Sequence, residues 1–386
     1  MKSDPRPFFL LIALVGGLAI FSSTLSKTPV LPLFAQTLNA SPAEIGWIVM
    51  ASTLPGVLIS YPAGALSDRL GTRGLLLASL VVFATAPLLY LLIDTPGQLM
   101  AVRFYHGFAT AIFGTVATAA IAERYTADRA ARLSTYSSIT IVGRSAAPFL
   151  GGFLISLASF DAVYIACAIS GALALAAGLL LDDDAPTPTV KRERPRFWAS
   201  LATVLRDRSI MLVSAVEAAQ YLVFGAIEAF LALFAASLGI PAWQIGVILG
   251  VQLVSIVFAK PLMGRVSDRV GRRRVILPGL LVGAASIALL PFAAGFAGLT
   301  ALSLAFGVGF ATVTSSTTAL VADLTRNGRF GSSMGVLRTV MDVGQSIGPV
   351  LTGWMLGLAG YGSAFTVLAA ILIAAALLFG LAFKET

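Results

Sequence analysis

Eight ionisable side chains sit in stretches of chain that are otherwise too apolar to solvate a charge: Lys27, Arg103, His106, Arg144, Glu217, Glu228, Arg338 and Asp342. A charge at the middle of a membrane-crossing helix costs about 2.5–3.5 kcal/mol even on a lenient scale, so each of these groups needs a partner or a task. A carboxyl group there can bind a proton or a cation. A guanidinium stays charged and can hold an anion or keep a nearby carboxylate ionised. His106 is the only histidine; with an ordinary pKa of about 6.5 it is either a proton relay or a hydrogen-bonded packing residue. Glu217 and Glu228 are eleven residues apart, close to three helical turns, which puts both on one side of a helix with Gln220, Tyr221 and Phe224 on or beside the stripe. Arg338 and Asp342 are four apart and can pair along one helix, lowering each other's burial cost. Lys260 lies four residues before Gly264 and can run its stem out to a membrane surface. The sequence contains no metal-ligand cluster, no nucleophile–base arrangement and no glycine loop ending in Gly-Lys-Ser/Thr, so we expect neither an enzyme nor an ATP-driven machine, and no cofactor.

The elements that must position these groups follow from composition. Charged residues make up 11% of the chain and hydrophobic ones 58%, against roughly 25% charged for a soluble domain. The surface must therefore face lipid. About 20 apolar residues cross a bilayer as a helix, and the runs here are continuous rather than alternating, so they are helices. Twelve spans are expected, at roughly 8–34, 44–66, 74–93, 98–122, 133–158, 160–181, 209–237, 244–264, 275–293, 296–322, 331–358 and 362–383. The first is read as a retained helix, since the run passes signal-peptide length without a small-residue cleavage pattern. Basic residues outside the spans all fall on one side, while the other side carries only Glu44, Asp94 and Asp161. That asymmetry places both termini in the cytoplasm. The net charge of +8 is thus a topology signal rather than one for nucleic acid. The lone cysteine, Cys167, excludes an intrachain disulfide and reads as packing.

The chain is also duplicated. Gly64-Ala-Leu-Ser-Asp68-Arg69-Leu-Gly71 recurs as Gly264-Arg-Val-Ser-Asp268-Arg269-Val-Gly271, an offset of 200. Leu31, Leu33, Phe34 and Ala35 match Leu231, Leu233, Phe234 and Ala235, and Ile45-Gly46 matches Ile245-Gly246. Further on the offset is 201, pairing Gly143 with Gly344 and Pro148 with Pro349. Between the halves lies the longest polar stretch, rich in proline and mixed charge, which suits a cytoplasmic linker. The expected organisation is a six-helix bundle over 1–181, a linker over 182–208 and a second bundle over 209–386: an all-α integral membrane protein with two pseudo-symmetric halves. In each repeated turn the second glycine permits a positive φ and the first permits close approach of another helix.

Two sets of spans joined by these turns resemble the major facilitator superfamily, most closely its twelve-helix drug:proton antiporter branch. The motif Gly64-x-Leu-Ser-Asp68-Arg69-x-Gly71-x-Arg73 is similar to the family's signature cytoplasmic loop, with Thr72 where a basic residue is common; the second copy has Arg272 there. The resemblance implies a cytoplasmic latch built from Gly64, Asp68, Arg69, Gly71, Arg73 and Glu123, and from Gly264, Asp268, Arg269 and Gly271. Gly335-x8-Gly344-x3-Gly348-Pro349-x2-Thr352-Gly353 resembles the family's antiporter signature, but lies in the eleventh span; the fifth keeps only Gly143, Pro148, Gly151 and Gly152 of it. Both would pack helices closely. Arg103-x-x-His106-Gly107 is similar to the fourth-span motif whose arginine tunes proton affinity. The resemblance further implies that the seventh span lines a cavity, so that Arg103, His106, Arg144, Glu217, Gln220, Tyr221, Glu228 and Asp342 are candidates for proton coupling or substrate contact, and that Lys27 and Glu228 form an outer gate.

What this implies is a secondary transporter, driven by protons and exporting a small amphiphilic compound, with the bilayer as surroundings and a monomer in the bacterial inner membrane. The alternatives are a symporter or uniporter importing a small organic anion or metabolite, favoured by Arg144 and the other basic residues in the spans, and a transport-dead membrane sensor. Asp68→Asn is expected to abolish or sharply lower transport while expression persists; wild-type rates in that variant, measured in membrane vesicles, would remove the latch.

Overall fold

A computed structural model of the chain describes residues 6–56, 72–181, 206–325 and 330–383. Every regular element among them is helical. In chain order they are α1 (Arg6–Leu25), α2 (Val30–Thr37), α3 (Pro42–Ala51), α4 (Thr72–Leu89), α5 (Pro96–Arg124), α6 (Arg129–Leu157), α7 (Phe160–Leu179), α8 (Arg208–Ser237), α9 (Ala242–Val270), α10 (Arg272–Leu289), α11 (Gly295–Leu324) and α12 (Phe330–Ala382). Short 3-10 turns, Tyr90–Leu92 and Leu290–Phe292, close α4 and α10 at matching places. Among the described residues ten helices are long and apolar enough to cross a membrane. The difference from the twelve expected spans has two sources. The second span, expected over 44–66, runs from residue 57 on outside the described residues. The last two spans share α12, whose backbone leaves helical geometry at Gly360, with φ 73°.

The helices gather into two compact units. One comprises Met1–Ala40, Trp47–Lys191 and Pro241–Gly246. Its core is apolar, built on Ile12, Val15, Leu80, Phe83, Phe113 and Ile121, all buried. In it α1 packs on α6 and α7, and α4 on α5 and α7. The other comprises Ser41–Gly46, Arg192–Ile240 and Val247–Thr386; there α8 runs along α12, and α10 packs on α11 and α12.

Close approach is set by missing side chains. A Cβ on Gly344 would strike the Ala218 carbonyl of α8, one on Gly348 the Leu222 carbonyl, and one on Gly225 would strike Gln345 of α12. α8 and α12 therefore touch backbone to backbone, the arrangement in which dispersion substitutes for a hydrophobic driving force in lipid. The start of α9 packs within the first unit in the same manner, Gly152 against the Ala242 carbonyl and Gly246 against that of Pro148. Within the second unit Gly353 lies on the Pro42 carbonyl and Gly46 on that of Pro349. Gly143 approaches the Gly17 carbonyl, and Gly151 meets Val30. Two expected packing glycines behave differently: among the described residues nothing lies within 4 Å of a Cβ on Gly264 or on Gly335.

A second matching device ties helix ends. Arg73 donates to the Leu179 carbonyl at 3.0 Å, and Arg273 donates to the Gly380 carbonyl. Each places a cation at a helix C-terminus, where carbonyls are unpaired and the dipole is negative. Gly348→Val should force α8 and α12 apart and destabilise by about 1–3 kcal/mol, read as a lower melting temperature in detergent. Gly335→Ala, with open space around it, should leave that temperature unchanged.

Candidate functional site

The repeated turn is visible in its second copy; Gly64, Asp68, Arg69 and Gly71 lie outside the described residues. Gly271 between α9 and α10 has φ 104°, the conformation its position requires. Asp268 pairs with Arg272 one turn on, and Arg272 Nε reaches Asp323 at the end of α11 at 3.0 Å. Ser267 Oγ also accepts from Arg272, at 3.3 Å. Asp323 is the 200-residue counterpart of Glu123 and was not singled out by sequence, because a carboxylate at a helix end reads as ordinary solvation. Both carboxylates are more than half exposed, so the bridges define geometry more than they stabilise. Arg269 sits in the last turn of α9. In the first unit Glu123 is exposed on α5.

The fourth-span motif organises a buried polar cluster in the first unit. Thr95 caps α5 in a reciprocal box with Gln98, and Pro96 opens the helix; this sets Arg103 two turns inside. The bare Gly107 lets α5 lie against the Ser52 carbonyl. Arg103 is 4% exposed and His106 2%. Arg103 donates to Ser52 Oγ at 2.8 Å and to Tyr90 Oη at 3.3 Å. Tyr90 Oη lies 3.3 Å from His106 Nδ1. The Tyr90 ring stacks on that of Tyr164, centroids 4.4 Å apart and planes at 5°, and Phe83 meets His106 edge-on at 5.8 Å. Among the described residues Arg103 Nε, His106 Nε2 and Tyr164 Oη are buried without a hydrogen-bond partner. Tyr90, Tyr164 and Ser52 carry no signal in sequence, since each sits on a different helical segment and only the fold brings them to Arg103.

In the second unit α8 carries a different polar group. Glu217 is fully buried, as is Gln220. Thr317 Oγ1 of α11 donates to Glu217 Oε2, while among the described residues Glu217 Oε1 and both amide atoms of Gln220 lack partners. Lys260 lies inside α9, which continues to Val270, and its charge acts on Glu217. Glu228 is half-buried and accepts from Gln345 of α12 at 3.3 Å. The two glutamates thus face different neighbours, and eleven residues separate them by about 16 Å along the axis. Tyr221 and Phe224 pack on Phe310, at 5.0 and 4.5 Å. Arg144 is exposed on α6. Arg338 and Asp342 are both exposed on α12, one turn apart; among the described residues they make no salt bridge within 4.0 Å, although the charge of Arg338 acts on Asp342. Lys27 is half-buried. Among the described residues no group of His, Cys, Asp and Glu could hold a metal.

Comparison with known proteins agrees with this architecture. An uncharacterized MFS-type transporter of Methanocaldococcus jannaschii is 24% identical over 86% of this chain and 87% of its own length. The multidrug transporter MdfA of Yersinia pestis is 24% identical over 52% of this chain, and the multidrug resistance protein MdtM of Salmonella typhimurium 29% over 45%; the chain spans 51% and 40% of the length of these two. Among solved structures, a mutant of the nucleoside transporter NupG superposes with a TM-score of 0.85 at 16% identity, covering 98% of this chain and all of the other. An occupied, inward-facing bacterial homolog of the lysosomal transporter Spinster superposes at 0.82 with 15% identity, covering 98% and 97%. At those identities the likeness concerns the fold. The family model of the Major Facilitator Superfamily matches residues 12–250 and 214–386, and with the duplicated turns and membrane helices this places the chain in that superfamily as a multi-pass membrane transporter.

Proposed function

We propose that the protein is a proton-coupled exporter of a small amphiphilic compound, working by alternating access between two six-helix bundles over 1–181 and 209–386. The carrying observation is Glu217. Its carboxyl group is enclosed in the second unit, held on one oxygen by Thr317 and unpartnered on the other. Protonated, such a group is a neutral donor; ionised, it carries a charge that an apolar core solvates poorly. A group whose two states differ so much in solvation couples proton binding to whether its surroundings are wet or dry. Gln220 beside it offers two further unpartnered atoms. The multidrug relatives favour efflux over uptake. In this reading Lys27 and Glu228 serve as an outer gate, the repeated turns as the cytoplasmic latch, and the linker 182–208 and both termini face the cytoplasm of a bacterial inner membrane. The organic-anion reading retains support from one observation, the buried guanidinium of Arg103.

Norfloxacin, an amphiphile whose flat aromatic body carries a carboxylate, added to inverted vesicles should release protons through the wild-type protein. Glu217→Gln should abolish that release while the protein still reaches the membrane, and Glu217→Asp should keep part of it. Undiminished proton release in Glu217→Gln would move the coupling site elsewhere.

A further inference from the structure

Arg103 is a cation enclosed in protein with only neutral partners. Its hydrogen bonds go to two hydroxyls, and among the described residues no carboxylate comes within 4.0 Å of it. A buried charge normally has a counter-charge, because solvation by hydroxyl dipoles alone leaves a penalty of several kcal/mol. Three polar atoms in the same cluster are also unpartnered: Arg103 Nε, His106 Nε2 and Tyr164 Oη. Two are certain donors, and the third is a donor in one tautomer of the neutral ring.

The duplication supplies an internal control. At the repeat offsets, Tyr90, Arg103, His106 and Tyr164 correspond to Leu290, Ser303, Phe306 and Phe365. The second unit builds the same pieces there: α10, its closing 3-10 turn and α11, with Gly307 against the Gln252 carbonyl as Gly107 lies against that of Ser52. It does so without guanidinium, imidazole or phenol, with Gln252, Leu290, Ser303 and Phe306 lying together there instead. The helix packing therefore does not require these four polar side chains, and architecture gives no reason for Arg103.

We propose that Arg103, with His106 and Tyr164, binds an oxyanion group of the transported molecule, the group being a carboxylate or phosphate on a small, flat body. The incoming anion replaces the hydroxyls of Ser52 and Tyr90 as acceptor and gives the guanidinium the charged partner it lacks. The rings of Tyr90, Tyr164 and Phe83 supply apolar walls that favour an aromatic acid over a free ion. This names the substrate class for the transport reading above and rests on the chain being a transporter, but it does not depend on Glu217.

The test is equilibrium binding to the purified full-length protein, using benzoate, its neutral isostere benzamide, and inorganic phosphate. Benzoate should bind and benzamide should not; phosphate binding with equal strength would assign the site to a free ion rather than an aromatic acid. Arg103→Gln should weaken benzoate at least about tenfold, the loss expected for a charge-assisted hydrogen bond. If that variant does not fold, Tyr164→Phe, which removes one unpartnered hydroxyl, should still weaken benzoate severalfold with an unchanged gel-filtration profile. Equal binding of benzamide, undiminished benzoate binding in the folded variants, or no binding of either anion by the wild type would overturn the proposal. Proton release that depends on Glu217 while no anion binds would leave the coupling reading standing and remove this one alone; Arg103-dependent benzoate binding without Glu217-dependent coupling would do the reverse.

Discussion

A polar atom inside a lipid-facing protein has no water to fall back on, and this constraint shapes the molecule more than any single contact. Helices satisfy the backbone. Side-chain hydroxyls then turn back on their own helix: Thr312, Thr314, Thr318 and Ser286 all donate to carbonyls four residues earlier. Against that background of local satisfaction, the few buried groups that reach across helices or stay unpartnered stand out. Among the described residues, Arg103 with His106 and Tyr164 is one such group in the first unit, and Glu217 with Gln220 is one in the second; single atoms such as those of Gln252, Ser303 and Thr352 are scattered elsewhere.

The two units share a scaffold and differ in chemistry. What persists after duplication is steric and terminal: glycines where backbones touch, the 3-10 turns after α4 and α10, and the arginines that close helix ends. What has diverged is the titratable content. One unit holds a basic cluster and no buried carboxylate among its described residues; the other holds a buried carboxylate on α8 with serine, leucine and phenylalanine where the first has its cations and phenols. The two units thus place groups of opposite charge in a common frame.

Much of this was legible in sequence, for reasons that differ by feature. Spans follow from hydropathy because lipid permits so few alternatives. The duplication was readable because glycines and charged turns rarely coincide by chance. The positive φ at Gly271 followed from the need to reverse two helices in a few residues. The partners were not legible. Periodicity put Glu217 and Glu228 on one stripe, yet their environments are set by Thr317 and Gln345, which belong to helices whose rotation no single sequence reveals. Arg338 and Asp342 have ideal spacing for a pair and interact through their charges without closing to a salt bridge, since spacing licenses contact without enforcing the rotamers. Tyr90 looked like an ordinary residue at a helix end, and only packing against α5 and α7 makes it the hub of the cluster.

The bonds from Arg73 and Arg273 end on main-chain oxygens, of Leu179 and Gly380. Such an acceptor is indifferent to mutation: any amino acid at either place presents the same carbonyl. Drift can therefore sever these two clasps only from the arginine side, which leaves α7 and the end of α12 free to vary their lipid-facing residues while remaining anchored to α4 and α10.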